Sequence, residues 1–203
     1  MPYEVVRRFE KEIAEFAGSK YAVAVESCSA ALFLSCLLEN VRDAEVTIPA
    51  RTYPSVPAAI IHAGGRVRFR FEWWAGIYKL EPFPIIDGAL RFRRGMYEGG
   101  LHCLSFHIKK LIPIGRGGMI LTDDEQAARW LRLARFDGRE EYDLSRQKEI
   151  TMAGWNMYMT PEQAAKGLLL FSFLKNKNFE DLDVGIQGYP DLSESPIFTA
   201  GPK

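Results

Sequence analysis

The sequence predicts an α/β fold in which a mainly parallel sheet is covered by helices on both faces. Short apolar segments of strand length alternate with longer segments of helical periodicity over most of the chain. Two capping-box patterns, at residues 122–125 and 160–163, mark the starts of helices late in the chain. The 203 residues, of which 47% are hydrophobic and 26% charged, suffice for one such domain with an appendage.

Composition narrows the class of partner. Lys and Arg together number 26, as do Asp and Glu, so we expect neither nucleic acid nor a membrane as a partner. The apolar runs are too short to span a bilayer, and the charged first helix does not resemble a signal peptide. Three cysteines without a close pair predict no metal site and a reduced, cytoplasmic protein.

The first elements are a helix, a strand and a second helix. Apolar residues recur at helical spacing from Val5 to Phe16, which predicts a helix over residues 3–17. An apolar strand at residues 21–25 then leads through a small polar turn into a helix at residues 30–38.

That polar turn, residues 26–29, has two interpretations. A strand, a small turn and a helix together present backbone N–H groups and the positive end of a helix dipole, so the turn can hold a phosphate. Alternatively, Ser27 or Ser29 only caps the helix.

The next stretch continues the alternation and then breaks it. A strand at residues 44–48 and a helix at 54–63 precede an edge-like strand at 66–71, where basic and apolar residues alternate. Residues 72–84 are irregular and aromatic, and they either bind a ligand or form a packed loop or subunit contact.

A strand at residues 83–88 brings Asp87 to its carboxyl end. Ligands of open α/β sheets bind outside the carboxyl ends of strands, so Asp87 is a candidate for chemistry. The basic, glycine-containing segment 90–100 then predicts a surface turn.

Strands at residues 102–106 and 118–121 flank a segment with two lysines, Lys109 and Lys110. An amine held between two buried strands is desolvated, which lowers its pKa and makes it a nucleophile towards a carbonyl. The alternative is that these lysines are solvated at strand ends.

The last third predicts two helices and two irregular segments. The first helix follows the capping box at residues 122–125 and ends near Arg135, and residues 138–150 form a charged loop. The second helix runs from the capping box at residues 160–163 to residue 174. The remaining residues predict an irregular tail, so the domain boundary falls between segments 1–175 and 176–203.

The lysine segment resembles a known family motif. Residues 105–118 are similar to S-F-H-x-x-K-x-x-x-x-G-E-G-G, the lysine motif of the DegT/StrS sugar aminotransferases of pyridoxal-phosphate fold type I. Residues 24–32 resemble the family's A-V-N-S-G-T-A-A-L turn, and residues 49–53 match P-x-F-T-[FWY]. Residues 154–165 resemble G-Y-N-Y-R-M-S-E-L-Q-A-A, and the blocks occur in family order between residues 5 and 174.

The resemblance implies roles for particular side chains. Lys110 would bind the pyridoxal 5′-phosphate and move the proton, and Asp87, on the D-A-A-Q/H aspartate, would pair with the pyridine nitrogen. The other implied cofactor contacts are Cys28 and Ser29 on the Gly-Thr pair, Ser105 on the phosphate, Tyr53 stacked on the ring, and Asn156 reaching the phosphate of a neighbouring subunit.

The implied function is amino-group transfer, with glutamate as donor, to a nucleotide-linked keto sugar in polysaccharide or amino-sugar biosynthesis. The implied assembly is a homodimer with shared active sites, and segment 1–175 would be the cofactor-binding large domain. Sugar dehydration is a related activity, but those relatives replace the lysine, so Lys110 favours transamination.

The alternative is a catalytically impaired remnant that binds cofactor or nucleotide sugar, or only dimerises. Three departures from the family pattern favour it: Leu90 replaces Gln or His, Arg116 replaces the acid of G-E-G-G, and Tyr158 replaces Arg. The sequence also lacks the family's small C-terminal domain.

Overall fold

The computed structural model describes residues 2–141, 145, 150–177, 180–181 and 188–199. The helices are α1 (Glu4–Ala17), α2 (Cys28–Leu38), α3 (Ser55–His62), α4 (Glu125–Ala134), α5 (Pro161–Leu174) and α6 (Pro196–Thr199). The strands are β1 (Tyr21–Val25), β2 (Glu45–Pro49), β3 (Arg66–Arg70), β4 (Tyr78–Leu80), β5 (Ile85–Asp87), β6 (Leu101–Ser105) and β7 (Gly118–Thr122). Most of the predicted loop 138–150 and much of the predicted tail lie outside the described residues, and the domain boundary stays a prediction.

The α/β class is confirmed, and its sheet is mixed instead of mainly parallel. Five strands lie in the order β1-β7-β6-β5-β4, where only β5 and β6 pair in parallel. Strands β2 and β3 form a separate parallel pair. The β4–β5 pair is antiparallel because residues 81–84, which join the two strands, are too few for the crossover that a parallel pair needs.

A backbone bridge joins the two sheets. Thr47 of β2 and Glu81 exchange two N–H···O hydrogen bonds, of 2.8 and 3.1 Å. Because Glu81 directly follows β4, the edge strand β4 of the five-stranded sheet lies next to the β2–β3 pair.

Helices cover both faces, as predicted. Helices α2, α3 and α4 pack on one face, against alternate strand residues such as Val23 and Ile120. Helices α1 and α5 pack on the other, against Ala22 and Leu121. The alternation follows from the pleat, in which successive side chains point to opposite faces.

Two predicted helix starts differ from the structure, and one agrees. Helix α2 begins at Cys28, two residues before the predicted start, because the Ser27 hydroxyl caps it and accepts from Ala30 N. Helix α4 is capped by Asp124, and Thr122 belongs to β7. The capping box at Thr160 is confirmed.

The segment 90–100, predicted as a surface turn, contributes to the core. Phe92 and Met96 are buried, and the Phe92 ring stacks on Phe16 with centroids 5.0 Å apart. Its burial could not be predicted, because the apolar residues lie between arginines and recur with neither a helical nor a strand period.

Arg135 and His102 are two of the buried polar residues. Arg135 is fully buried and donates hydrogen bonds to Glu10, to Glu141 and to the Ala24 carbonyl, which ties α1, β1 and the end of α4 together. His102 of β6 is also fully buried, and neither ring nitrogen has a hydrogen-bond partner among the described residues. Burial, and to a smaller extent the charge of Arg91, lower the pKa of His102 to about 4.

Candidate active site

A cavity of about 390 Å³ lies where β5 and β6 end and α2 begins. This volume is within the range of pockets that hold small ligands. Six of the seven predicted site residues line it: Cys28, Ser29, Tyr53, Asp87, Ser105 and Lys110. The sheet therefore brings together side chains that are up to 82 residues apart in sequence, from Cys28 to Lys110.

Asn156, the seventh predicted residue, does not line this cavity. Its exposed amide donates to Asp137 Oδ2 at 3.4 Å. The resemblance gave it a role in a neighbouring subunit, and that role stays a prediction. Tyr158, which replaces the family's arginine, packs its ring against Tyr3 and Phe136.

Both interpretations of the polar turn, helix capping and phosphate binding, concern the N-terminus of α2. Ser27 caps the helix, whereas Ser29 lines the cavity and donates to Ser55 Oγ at 2.8 Å. Gly118 holds this turn against the sheet, since a Cβ there would lie 2.4 Å from the Ser27 carbonyl carbon and oxygen. Free N–H groups and hydroxyls around a cavity are the donor set that an anion needs.

Asp87 is a buried carboxylate with defined donors. Its Oδ2 accepts from Tyr78 Oη at 2.7 Å, and its Oδ1 accepts from Ala89 N at 2.9 Å. Tyr78 Oη also shares a 2.5 Å hydrogen bond with Thr52 Oγ1. Burial raises the pKa of Asp87, while the two donors and the Lys110 ammonium oppose that rise.

Lys110 is half-buried on the same cavity. Burial lowers the pKa of its amine, and the nearby charges of Asp87 and Cys28 oppose that effect. A lowered amine pKa increases the neutral, nucleophilic form. Cys28 is not activated, because burial raises the pKa of its thiol well above the ordinary value.

Two of the residues that depart from the family pattern, Leu90 and Arg116, line the cavity. Leu90 is buried there and offers no hydrogen bond. Arg116 forms an ion pair with Glu26, with Nη2 and Oε2 2.7 Å apart. Glu26 falls on the asparagine of the family's phosphate turn, so two departures from the pattern meet in one contact.

Sequence reasoning missed five residues of the site. Thr52, Ser55, Trp74 and Tyr189 line the cavity, and Tyr78 orients Asp87 from below it. Trp74 and Tyr78 lie in the aromatic segment 72–84, for which ligand binding stays a prediction. No periodicity or motif marked Tyr189.

The described residues give two further findings. None of their helices combines the length and apolar character that crossing a bilayer requires. No three or more of their His, Cys, Asp or Glu side chains are grouped so that they could hold a metal ion.

The fold is the one that solved pyridoxal-phosphate-dependent aminotransferases have. A DegT/DnrJ/EryC1/StrS aminotransferase from Brucella abortus superposes with a TM-score of 0.73 at 18% identity, over 86% of this chain and 60% of that one. A putative pyridoxal-phosphate-dependent aminotransferase from Bacillus cereus superposes with a TM-score of 0.69 at 22% identity, over 84% and 59%.

Sequence comparison gives the family. The chain belongs to the DegT/DnrJ/EryC1/StrS aminotransferase family, whose model matches residues 1–70 and 94–180. It is 28% identical to the spore coat polysaccharide biosynthesis protein SpsC of Bacillus subtilis, over 80% of this chain and 55% of that protein. It is 26% identical to GDP-perosamine synthase of Caulobacter vibrioides, over 79% and 54%. The chain thus spans about half the length of the curated relatives it matches.

Proposed function

We propose that this chain is the cofactor-binding part of a pyridoxal-phosphate-dependent aminotransferase. Its reaction is transfer of an amino group, with glutamate as the donor, to a nucleotide-linked keto sugar in amino-sugar or polysaccharide biosynthesis. The single observation that carries the proposal is that Lys110 and the buried Asp87 line one cavity with opposed pKa shifts.

The residues present fit pyridoxal phosphate. Its phosphate is matched by the α2 N-terminus with Ser29 and by Ser105, and its ring nitrogen by the buried carboxylate of Asp87. Its ring is matched by the aromatic side chain of Tyr53, and its aldehyde by the Lys110 amine. When bound, the cofactor supplies that aldehyde and an electron-withdrawing ring.

The chain's own side chains divide the work. Asp87, held by Tyr78 and Ala89, stabilises a positive charge at the ring nitrogen. Lys110 Nζ, with its lowered pKa, would hold the cofactor through its aldehyde and would accept and return the proton that the transfer moves. Burial excludes water and strengthens both interactions.

The assembly and location follow from the same proposal. A homodimer would bring Asn156 to the phosphate of the neighbouring site, which explains why it lies outside this chain's own cavity. Nucleotide sugars are made in the cytoplasm, which is where we place this protein.

The test is an absorbance spectrum of the purified full chain with pyridoxal phosphate, before and after borohydride reduction. We expect a band shifted from that of the free cofactor, and label on Lys110 after reduction and digestion. Lys110→Ala should lose both, and Lys109→Ala, the matched neighbour that also lines the cavity, should keep both. Addition of glutamate to the unreduced protein should abolish the shifted band.

A second candidate function is a non-catalytic module that binds cofactor or nucleotide sugar, or dimerises. The observation that favours it is the buried Leu90 side chain in the cavity lining, where the family motif has a polar residue. A wild-type spectrum with a shifted band that does not respond to glutamate would support binding without catalysis. A spectrum identical to that of the free cofactor would overturn the enzyme proposal.

A further inference from the structure

The C-terminal segment of residues 188–192 is anchored beside the cavity. The backbone N–H of Leu192 donates to the Ala50 carbonyl at 2.9 Å, and the Leu192 side chain is buried. Arg51 Nη1 donates to the Tyr189 carbonyl at 2.9 Å, and Asp191 forms a backbone bridge with Arg51. These contacts fix the segment to the residues that follow β2.

The anchored segment brings an aromatic side chain to the cavity. Tyr189 lines it together with Trp74, and the two rings stack with centroids 5.9 Å apart and planes 28° apart. Trp74 is held in turn, because its Nε1 donates to the Arg51 carbonyl at 3.0 Å. Tyr189 lines the same cavity as Tyr53 and Asp87, two of the residues predicted to contact the cofactor ring. Burial raises the pKa of its hydroxyl.

The family pattern assigns neither aromatic residue. Trp74 lies in the unmatched stretch between residues 70 and 94, and Tyr189 lies beyond residue 180, where the family match ends.

We propose that residues 188–192 form a wall of the cavity, and that Tyr189, backed by Trp74, contacts the planar ring of a bound cofactor. The assignment of the ring to pyridoxal phosphate rests on the proposed function. The wall itself does not, because it follows from the anchoring contacts alone.

Three substitutions of Tyr189 separate the ring from the wall. Tyr189→Phe keeps both, Tyr189→Leu keeps the bulk and removes the ring, and Tyr189→Ala removes both. Ile197→Ala is the matched control, since Ile197 lies beyond residues 188–192 in the same part of the chain and is 76% exposed. Circular dichroism of each variant establishes that it is folded, and the Leu variant carries the test if the Ala variant is not.

The first readout is the dissociation constant for pyridoxal phosphate. Losing an aromatic contact should weaken binding roughly 2- to 10-fold in the Leu and Ala variants and leave the Phe variant unchanged. The second readout needs no cofactor: the rate at which a small maleimide alkylates Cys28, which lines the cavity. The buried Cys36 and Cys103 are internal controls, and only the Ala variant should react with maleimide several-fold faster at Cys28.

The outcomes distinguish the two proposals. If the wild type does not bind pyridoxal phosphate but Tyr189→Ala exposes Cys28, the proposed function fails and the wall stands. If the wild type binds and the Leu and Phe variants bind equally well, the ring contact is overturned. If maleimide alkylates Cys28 in the Tyr189→Ala variant at the wild-type rate, the proposal that residues 188–192 form a wall of the cavity is overturned.

Discussion

The buried histidine His102 should make the protein acid-sensitive in a way that one substitution removes. Its imidazole is fully buried without a hydrogen-bond partner among the described residues, and its pKa is lowered to about 4. In the unfolded chain the same group titrates near its ordinary value of 6.5. Between these two values the unfolded state binds the proton and the folded state does not, so the free energy of unfolding falls as pH falls below 6.5.

The size of the effect follows from the two pKa values. A difference of about 2.5 units corresponds to about 3 kcal/mol, which is fully lost only below the folded pKa. At pH 5 the expected loss from this one group is already about 2 kcal/mol. Because a small domain has roughly 5–15 kcal/mol in total, this loss is readily measured.

The assay is urea unfolding of the wild type and His102→Leu at pH 7.5, 6, 5 and 4.5. Carboxylates titrate in both proteins, so the difference between the two free energies isolates His102. We expect the free energy of unfolding of His102→Leu to rise steadily relative to that of the wild type below pH 6.5. The control His62→Gln, at an exposed histidine, should follow the wild type. Parallel profiles for the wild type and His102→Leu, or a His102 ring resonance that titrates near pH 6.5 in the folded protein, would refute the reasoning.

Three further predictions concern the site and its supports. Tyr78→Phe removes a hydrogen bond to the Asp87 carboxylate worth about 1.5–3 kcal/mol, which raises the pKa of Asp87. Pyridoxal phosphate binding should therefore weaken more at pH 6 than at pH 9. Superimposable pH profiles of binding for the variant and the wild type would contradict this. Glu10→Gln removes the carboxylate that pairs with the buried Arg135, so the free energy of unfolding measured in urea should fall by about 3 kcal/mol. The exposed control Glu15→Gln should change it little. Gly118→Ala should lower the free energy of unfolding by about 1–3 kcal/mol, because its Cβ would meet the backbone of Ser27 and Cys28. Gly117→Ala should lower it by clearly less, because its Cβ would meet the flexible Met159 methyl. Equal melting temperatures for the two variants would contradict this expectation.

Sequence reasoning located most of the cavity because its residues sit at element ends. Asp87 ends β5, Ser105 ends β6, and Ser29 lies in the first turn of α2, so the predicted elements already placed them at one edge of the sheet. The pKa direction expected for Lys110 is also the one found. Local periodicity placed Asp87 at a strand end and the lysines between two strands, whereas the roles of Ser29 and Ser105 and the choice of Lys110 over Lys109 came from the family resemblance.

The features that were missed depend on contacts distant in sequence. Strand β4 has three residues and is defined by its pairing with β5, so no periodicity could reveal it. Tyr189 reaches the cavity through bonds to Arg51, which lies 138 residues earlier. The parallel sheet was overestimated because the strands predicted between residues 66 and 121 have no helix between them, and their pairing directions cannot be inferred from such connections.

The bridge between Thr47 and Glu81 has a consequence for cooperativity. It joins two β units, and the cavity lies across the joint: Tyr53 and Ser55 follow β2, whereas Asp87 ends β5 in the other sheet. A ligand that contacts both sides acts as a clamp, and in its absence the β2–α3–β3 unit is a candidate for opening on its own. Amide hydrogen exchange in that unit should therefore slow on binding more than exchange in the distant strands β1 and β7.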